Sequence, residues 1–140
     1  MNIVEYNTER HYETMCNLWA KCGWQQCPKE ALPNCGLVAE STSGEFMAYV
    51  GMYILPGKIA FIDWALAGDI HGIACGKALC KIVDKLIAKA RENQCFFIYS
   101  VTKVEAWKKI LMHRGLKVAE KGADTFIMAL NDQDTAFISD

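Results

Sequence analysis

An apolar, β-branched and aromatic run, Lys58 to Leu66, leads within a few residues into a small-residue turn, His71-Gly72-Ile73-Ala74-Cys75-Gly76-Lys77, and then into the longest helical pattern of the chain. From Gly72 to about Arg91, residues Cys75, Leu79, Ile82, Val83, Leu86 and Ala90 form one apolar stripe, while Lys77, Lys81, Lys85 and Lys89 fall elsewhere and read as a solvated face. A strand that hands over to such a helix lays it on a sheet. The turn also has a chemical meaning. A helix start presents unpaired backbone N–H groups and a positive dipole end, and small residues let an anion approach, so Gly72 to Lys77 is where a phosphate would sit. The same Gly-x-x-x-Gly spacing also serves plain strand-to-helix packing.

The flanking sequence extends this unit in both directions. Val4 and Tyr6 predict a short first strand, and Thr8 can cap a helix carrying Tyr12, Met15, Cys16, Leu18, Trp19 and Cys22, with Gly23 as its stop. After an irregular stretch over Pro28 to Asn34, Gly36 to Glu40 reads as a strand ending at Ser41-Thr42-Ser43-Gly44. Phe46 to Leu55 and Lys58 to Leu66 form a hairpin joined by Pro56-Gly57. Beyond the long helix, Phe96 to Val101 is a strand, Thr102-Lys103-Val104-Glu105 is a capping box for a helix carrying Trp107, Ile110 and Leu111, and Gly115 ends it. Leu116 to Val118 and Thr125 to Leu130 predict two last strands before a polar tail from Asn131. The expected fold is α+β, with a central antiparallel meander, later helix crossovers and a mainly antiparallel sheet of six to seven strands. A chain of 140 residues with 52% hydrophobic content can build one such domain, residues 1–140.

Composition removes several function classes. A net charge of −1 leaves no basic footprint for nucleic acid or an anionic membrane surface. Met1-Asn2-Ile3-Val4-Glu5 lacks a basic, then apolar leader, so the expectation is a cytoplasmic protein. The seven cysteines are odd in number, and Cys16, Cys22, Cys27 and Cys35 contain no C-x-x-C pair, which argues for buried thiols and against a zinc site even with His11 nearby.

The turn and the order of elements resemble the GNAT (N-acetyltransferase) superfamily over about residues 1 to 130. In that family an Arg/Gln-x-x-Gly-x-Gly/Ala loop opens the helix that holds the coenzyme A pyrophosphate; here His71 stands at the Arg/Gln position, Ala74 at the first Gly and Gly76 at the second. The resemblance implies a GNAT-like sheet and acetyl-CoA as co-substrate, held by His71, Gly72, Ile73, Ala74, Cys75, Gly76 and Lys77. Trp64, Ala65 and Leu66 would line the pantetheine arm, and Leu66 falls where the family's fourth strand offers a backbone N–H to the acetyl carbonyl. The last helix, where many members carry a Tyr, offers Ile110 and Leu111.

Acetyl transfer to an amine also needs a base and a proton for the leaving thiolate. Asp63 is the sole acid inside the fourth strand, where Asp is disfavoured, and it reads either as that base or as a carboxylate hydrogen-bonded near a bulge. Glu40 and Glu45 are weaker candidates on solvated strand ends. Tyr99 is the candidate acid, with Ser100 and His113 as substitutes, although a thiolate can also leave unaided. Cys75 and Cys80 read as packed thiols rather than acyl carriers, and Trp19, Trp24 and Trp107 as core or cleft wall. The resulting expectation is an N-acetyltransferase working by direct attack of a small-molecule or protein amine, with a homodimer compatible. The alternative is a GNAT-shaped binding or interaction module without turnover.

Overall fold

The computed structural model describes residues 1–68 and 72–122, and beyond them positions 124, 126, 128 and 130. His71 therefore lies outside the described residues, as does the tail from Asn131.

Among the described residues, five strands and three helices follow the expected order: β1 (Asn2–Glu5), α1 (Thr8–Cys22), β2 (Cys35–Glu40), β3 (Phe46–Leu55), β4 (Ile59–Ala67), α2 (Gly72–Glu92), β5 (Phe97–Tyr99) and α3 (Glu105–His113), with a 3-10 turn at Lys29–Ala31. The sheet order is β1-β2-β3-β4-β5. The first four strands form an antiparallel meander, and β5 joins β4 in parallel after the α2 crossover.

The strand alternation divides the core in two. Leu37, Ala39, Ala48, Val50, Met52, Ala60 and Ile62 face the α2 stripe, with Trp107 and Leu111 of α3 closing the same layer. Val38, Tyr49 and Leu66 face the other way, onto Met15, Leu18 and Trp19 of α1 and onto Cys27. Both layers exclude water from most of their members, so burial drives the sheet to keep this register.

Several expectations change in detail. Asn7, not Thr8, caps α1: its Oδ1 accepts the Arg10 N–H at 3.0 Å. The capping box also shifts, because α3 starts at Glu105 with Val104 as its cap residue and the Thr102 hydroxyl accepts the Val104 N–H instead. The sheet has five strands among the described residues rather than six or seven. Leu116 does not begin a strand, because Gly115 takes a φ of 101° and the Leu116 N–H returns to the Leu111 carbonyl, folding the chain back under α3. Positions 126, 128 and 130 are exposed and outside any strand, while the alternate positions of the expected strand over 125–130 lie outside the described residues. No helix among the described residues is long and apolar enough to cross a membrane.

Candidate functional site

The site begins with an irregularity in β4. Tyr49 stands opposite Leu66 and Gly51 opposite Asp63, so two steps along β3 match three along β4. The extra residue makes a β-bulge, and Trp64 takes a φ of 61° there, a left-handed conformation that costs a bulky side chain about 1–2 kcal/mol. The bulge reverses the alternation of the strand. Asp63 and Leu66, an odd and an even position, both fall on the α1 side, whereas Ala65 packs toward α2.

At the same level β4 and β5 part. Their ladder ends at Phe61 opposite Tyr99, and the Ser100 hydroxyl donates to the Ile62 carbonyl at 3.0 Å just beyond it. Past that point the edge of β4 from Asp63 to Ala67 faces a cleft of about 460 Å³ instead of a neighbouring strand. One wall comes from α1 and the segment after it (Trp19, Trp24, Gln25), the opposite wall from Val101 to Ile110, and Leu79 of α2 closes the side below. The lining is mostly apolar, and among the described residues Asp63 is its sole ionisable side chain.

Asp63 is half-buried, and its Oδ1 accepts the Trp64 N–H at 2.7 Å. Burial raises its carboxyl above the usual range, and the Trp64 hydrogen bond partly offsets that rise. The residue is thus the hydrogen-bonded carboxylate at a bulge, and its side chain also lines the cleft. The Trp64 ring is fixed in turn: its Nε1–H donates to the Tyr53 hydroxyl at 2.9 Å, and that hydroxyl donates to the Ala31 carbonyl at 2.8 Å. Cys27 lies buried behind this layer, where desolvation first and the charge of Asp63 second push its thiol up to about 12, so it stays protonated and unreactive.

The other residues singled out in the sequence fall as follows. Trp64, Ala65 and Leu66 line the cleft beside Asp63. Gly72, Ile73, Ala74, Cys75, Gly76 and Lys77 form the first turns of α2, outside the cleft wall. A Cβ at Gly72 or Gly76 would meet nothing within 4 Å, so the outer side of these turns is open to a ligand. Cys75 points inward, its thiol donating to the Gly68 carbonyl at 3.4 Å. Gly68 itself is obligatory, since a Cβ would lie 2.8 Å from the Phe46 carbonyl oxygen. Tyr99 ends β5 with its side chain exposed and outside the cleft lining, so the fold does not bring it into that wall with Asp63. His113 is exposed at the end of α3, against the Arg114 guanidinium.

Glu40, expected on a solvated strand end, is buried instead. Its Oε1 binds Arg10 at 2.8 Å and its Oε2 accepts from His11 Nε2 at 3.1 Å, tying the start of α1 to the end of β2. Trp19, Trp24 and Trp107 read in the sequence as core or cleft wall and Trp64 as lining for a ligand, but sequence reasoning did not bring them together: all four tryptophans of the chain meet around one space. Their separation along the sequence gives no periodic signal that would join them.

The sequence matches no protein-family model and no curated protein. Solved structures give a consistent answer. An acetyltransferase of the GNAT family from Staphylococcus aureus Mu50 superposes with a TM-score of 0.67 at 17% identity, over 89% of this chain and 89% of its own. The fold is the GNAT fold. Aminoglycoside 6'-acetyltransferase type Ii shares it at a TM-score of 0.65 and 13% identity, over 86% of this chain and 85% of its own. The aminoglycoside 6'-N-acetyltransferase AAC(6')-Ih from Acinetobacter baumannii follows at 0.59 and 14%, over 93% and 99%. Within the GNAT fold, the bulge, the strand split and the cleft occupy one place, at the end of β4.

Proposed function

We propose that this protein is an acetyl-CoA-dependent N-acetyltransferase in which an amine attacks the thioester directly in a ternary complex. The observation that carries the reading is the coincidence of Asp63, the bulge at Trp64 and the parting of β4 from β5 at a single cleft. The GNAT fold of the neighbours supports it.

The residues present fit the co-substrate. The cleft between β4 and the Val101 to Ile110 wall is apolar, as a pantetheine arm requires, and the open outer side of Gly72 and Gly76 leaves room for a pyrophosphate on the α2 N–H groups. Acetyl-CoA supplies the activated acyl group. Asp63 takes the proton from the attacking nitrogen as the N–C bond forms, and its raised basicity suits that task better than an ordinary carboxylate's. The β4 edge at Leu66 supplies a backbone N–H for the developing oxyanion. The C–S bond breaks, and the thiolate picks up its proton from water, since Tyr99 lies outside the cleft lining. The Trp64 N–H is already committed to Asp63 and serves to hold the base rather than the oxyanion.

Calorimetric titration with acetyl-CoA tests the first half of this reading. Saturable one-to-one binding that is lost on Gly76→Trp, with the fold intact, is the expected result. Absence of heat at millimolar ligand removes the transferase in favour of a GNAT-shaped interaction module.

A further inference from the structure

The four tryptophans and the single carboxylate of the cleft bear on what the acceptor is. Three of the rings, Trp19, Trp24 and Trp64, stand on the α1 side of the bulge, the side onto which Asp63 projects. Trp19 and Trp64 meet edge to face with centroids 5.9 Å apart and an interplanar angle of 69°. Trp64 is locked by the Tyr53 hydrogen bond, and Trp19 is buried, so neither ring can swing away from a ligand. Trp24 is different. Gly23 turns left-handed at the end of α1, the Trp24 N–H bonds back to the Trp19 carbonyl at 2.9 Å, and the indole is left 40% exposed at the rim.

Such walls favour flat apolar groups and cations, through offset or edge contacts with a ring and through the negative face of indole. The described lining offers one charge. Among the described residues Asp63 is the sole acid in the lining, and no described lysine, arginine or histidine shares it. A ligand with one ammonium matches that arrangement. One with three or four would place the rest against apolar walls without partners, at a desolvation cost the contacts cannot offset.

We propose that the acceptor is an arylalkylamine, a primary amine carried on an aromatic body, with the ammonium on Asp63 and the ring among Trp19, Trp24 and Trp64. This rests on the acetyl-transfer reading for its consequence, since the bound nitrogen would be the one acylated. It separates this cleft from the aminoglycosides named for two of its structural neighbours, which are polycationic.

Because every tryptophan of the chain lines the cleft, intrinsic fluorescence reports its occupancy directly. The protein is titrated with 2-phenylethylamine, its uncharged counterpart 2-phenylethanol, and spermidine, each with and without saturating coenzyme A. The expected result is saturable quenching by the phenylethylamine, at least about tenfold weaker binding of the alcohol and of spermidine, and loss of the amine-over-alcohol preference in Asp63→Asn. Trp24→Ala should weaken the amine and the alcohol alike. Tighter binding of spermidine, equal binding of amine and alcohol, or silence toward the amine under both conditions overturns the proposal. Amine binding without coenzyme binding would remove the transferase reading alone, and coenzyme binding without amine binding would remove this one alone.

Discussion

Among the described residues two carboxylates are partly or wholly buried, and the protein treats them in opposite ways. Glu40 closes the gap between α1 and β2 with both oxygens engaged, one by Arg10 and one by His11. His11 is in turn fixed, because its Nδ1 accepts the Asn7 N–H at 3.0 Å and its Nε2 therefore carries the proton given to Glu40. Asp63 has one hydrogen bond, from a backbone held in a strained conformation, and its other face looks into an apolar cleft. A fully satisfied network rigidifies a fold. A half-satisfied carboxylate beside a strained residue costs stability, and such costs persist where a site has a use for them.

Asp63→Asn is the change that breaks the comparison most sharply. Loss of a general base should lower turnover by about 10²–10³-fold while coenzyme binding stays unchanged. The effect on stability should have the opposite sign. Burial raises the folded-state pKa of Asp63 above its unfolded value, so its favourable contribution is complete below the unfolded pKa and is lost as pH rises through the folded one. At neutral pH the Asn variant should be as stable as the parent or more so, read from urea midpoints. For the same reason the acid limb of kcat/KM should lie above the usual carboxylate range in the parent and disappear in the variant. A variant that loses stability and keeps its rate would make Asp63 a structural residue.

Glu40→Ala sharpens the other side. It leaves the His11 Nε2–H buried without an acceptor and should lower stability by about 3 kcal/mol in urea unfolding, with the rate of the remaining folded protein unchanged. A fall in rate without a fall in stability would move Glu40 into the site.

This contrast was half legible in the sequence. The meander, the α2 crossover and the position of Asp63 in β4 follow from periodicity, because apolar stripes at spacings of two and 3.6 are local properties of the chain. Glu40 reads as solvated because strand ends are usually wet, and only the packing of α1 over β2 reveals that this one is covered. That the tryptophans share one wall was illegible for a related reason, although Trp19, Trp24 and Trp107 read singly as core or cleft wall. Residues 19, 24, 64 and 107 reach one space through the α1 cap, the bulge and α3, and no local rule couples those three devices. The bulge left one trace, an Asp inside an apolar strand.

Gly51, directly opposite Asp63, shows how tightly the back of the site is packed. A Cβ there would lie 2.5 Å from Pro33 Cγ and 2.6 Å from the Tyr49 hydroxyl, so Gly51→Ala should destabilise by about 2 kcal/mol through overpacking. Thermal unfolding reads it, and a neutral result would mean that the β3 face has slack that the Asp63 geometry does not depend on.

Gly76 gives the converse case at the front of the site, with the smallest effect. It lies within α2, its φ is not left-handed, and a methyl would meet nothing within 4 Å. Replacing a helical glycine by alanine removes backbone freedom from the unfolded chain, so Gly76→Ala should stabilise the protein by about 0.5–1 kcal/mol. A glycine kept where alanine is better for folding suggests that the space itself is used. If a pyrophosphate rests on this turn, the added methyl should weaken acetyl-CoA binding in calorimetry while the melting temperature rises. Opposite movements of stability and affinity would mark the open turn as part of the site; a gain in stability with unchanged affinity would leave Gly76 as a helix defect that binds nothing.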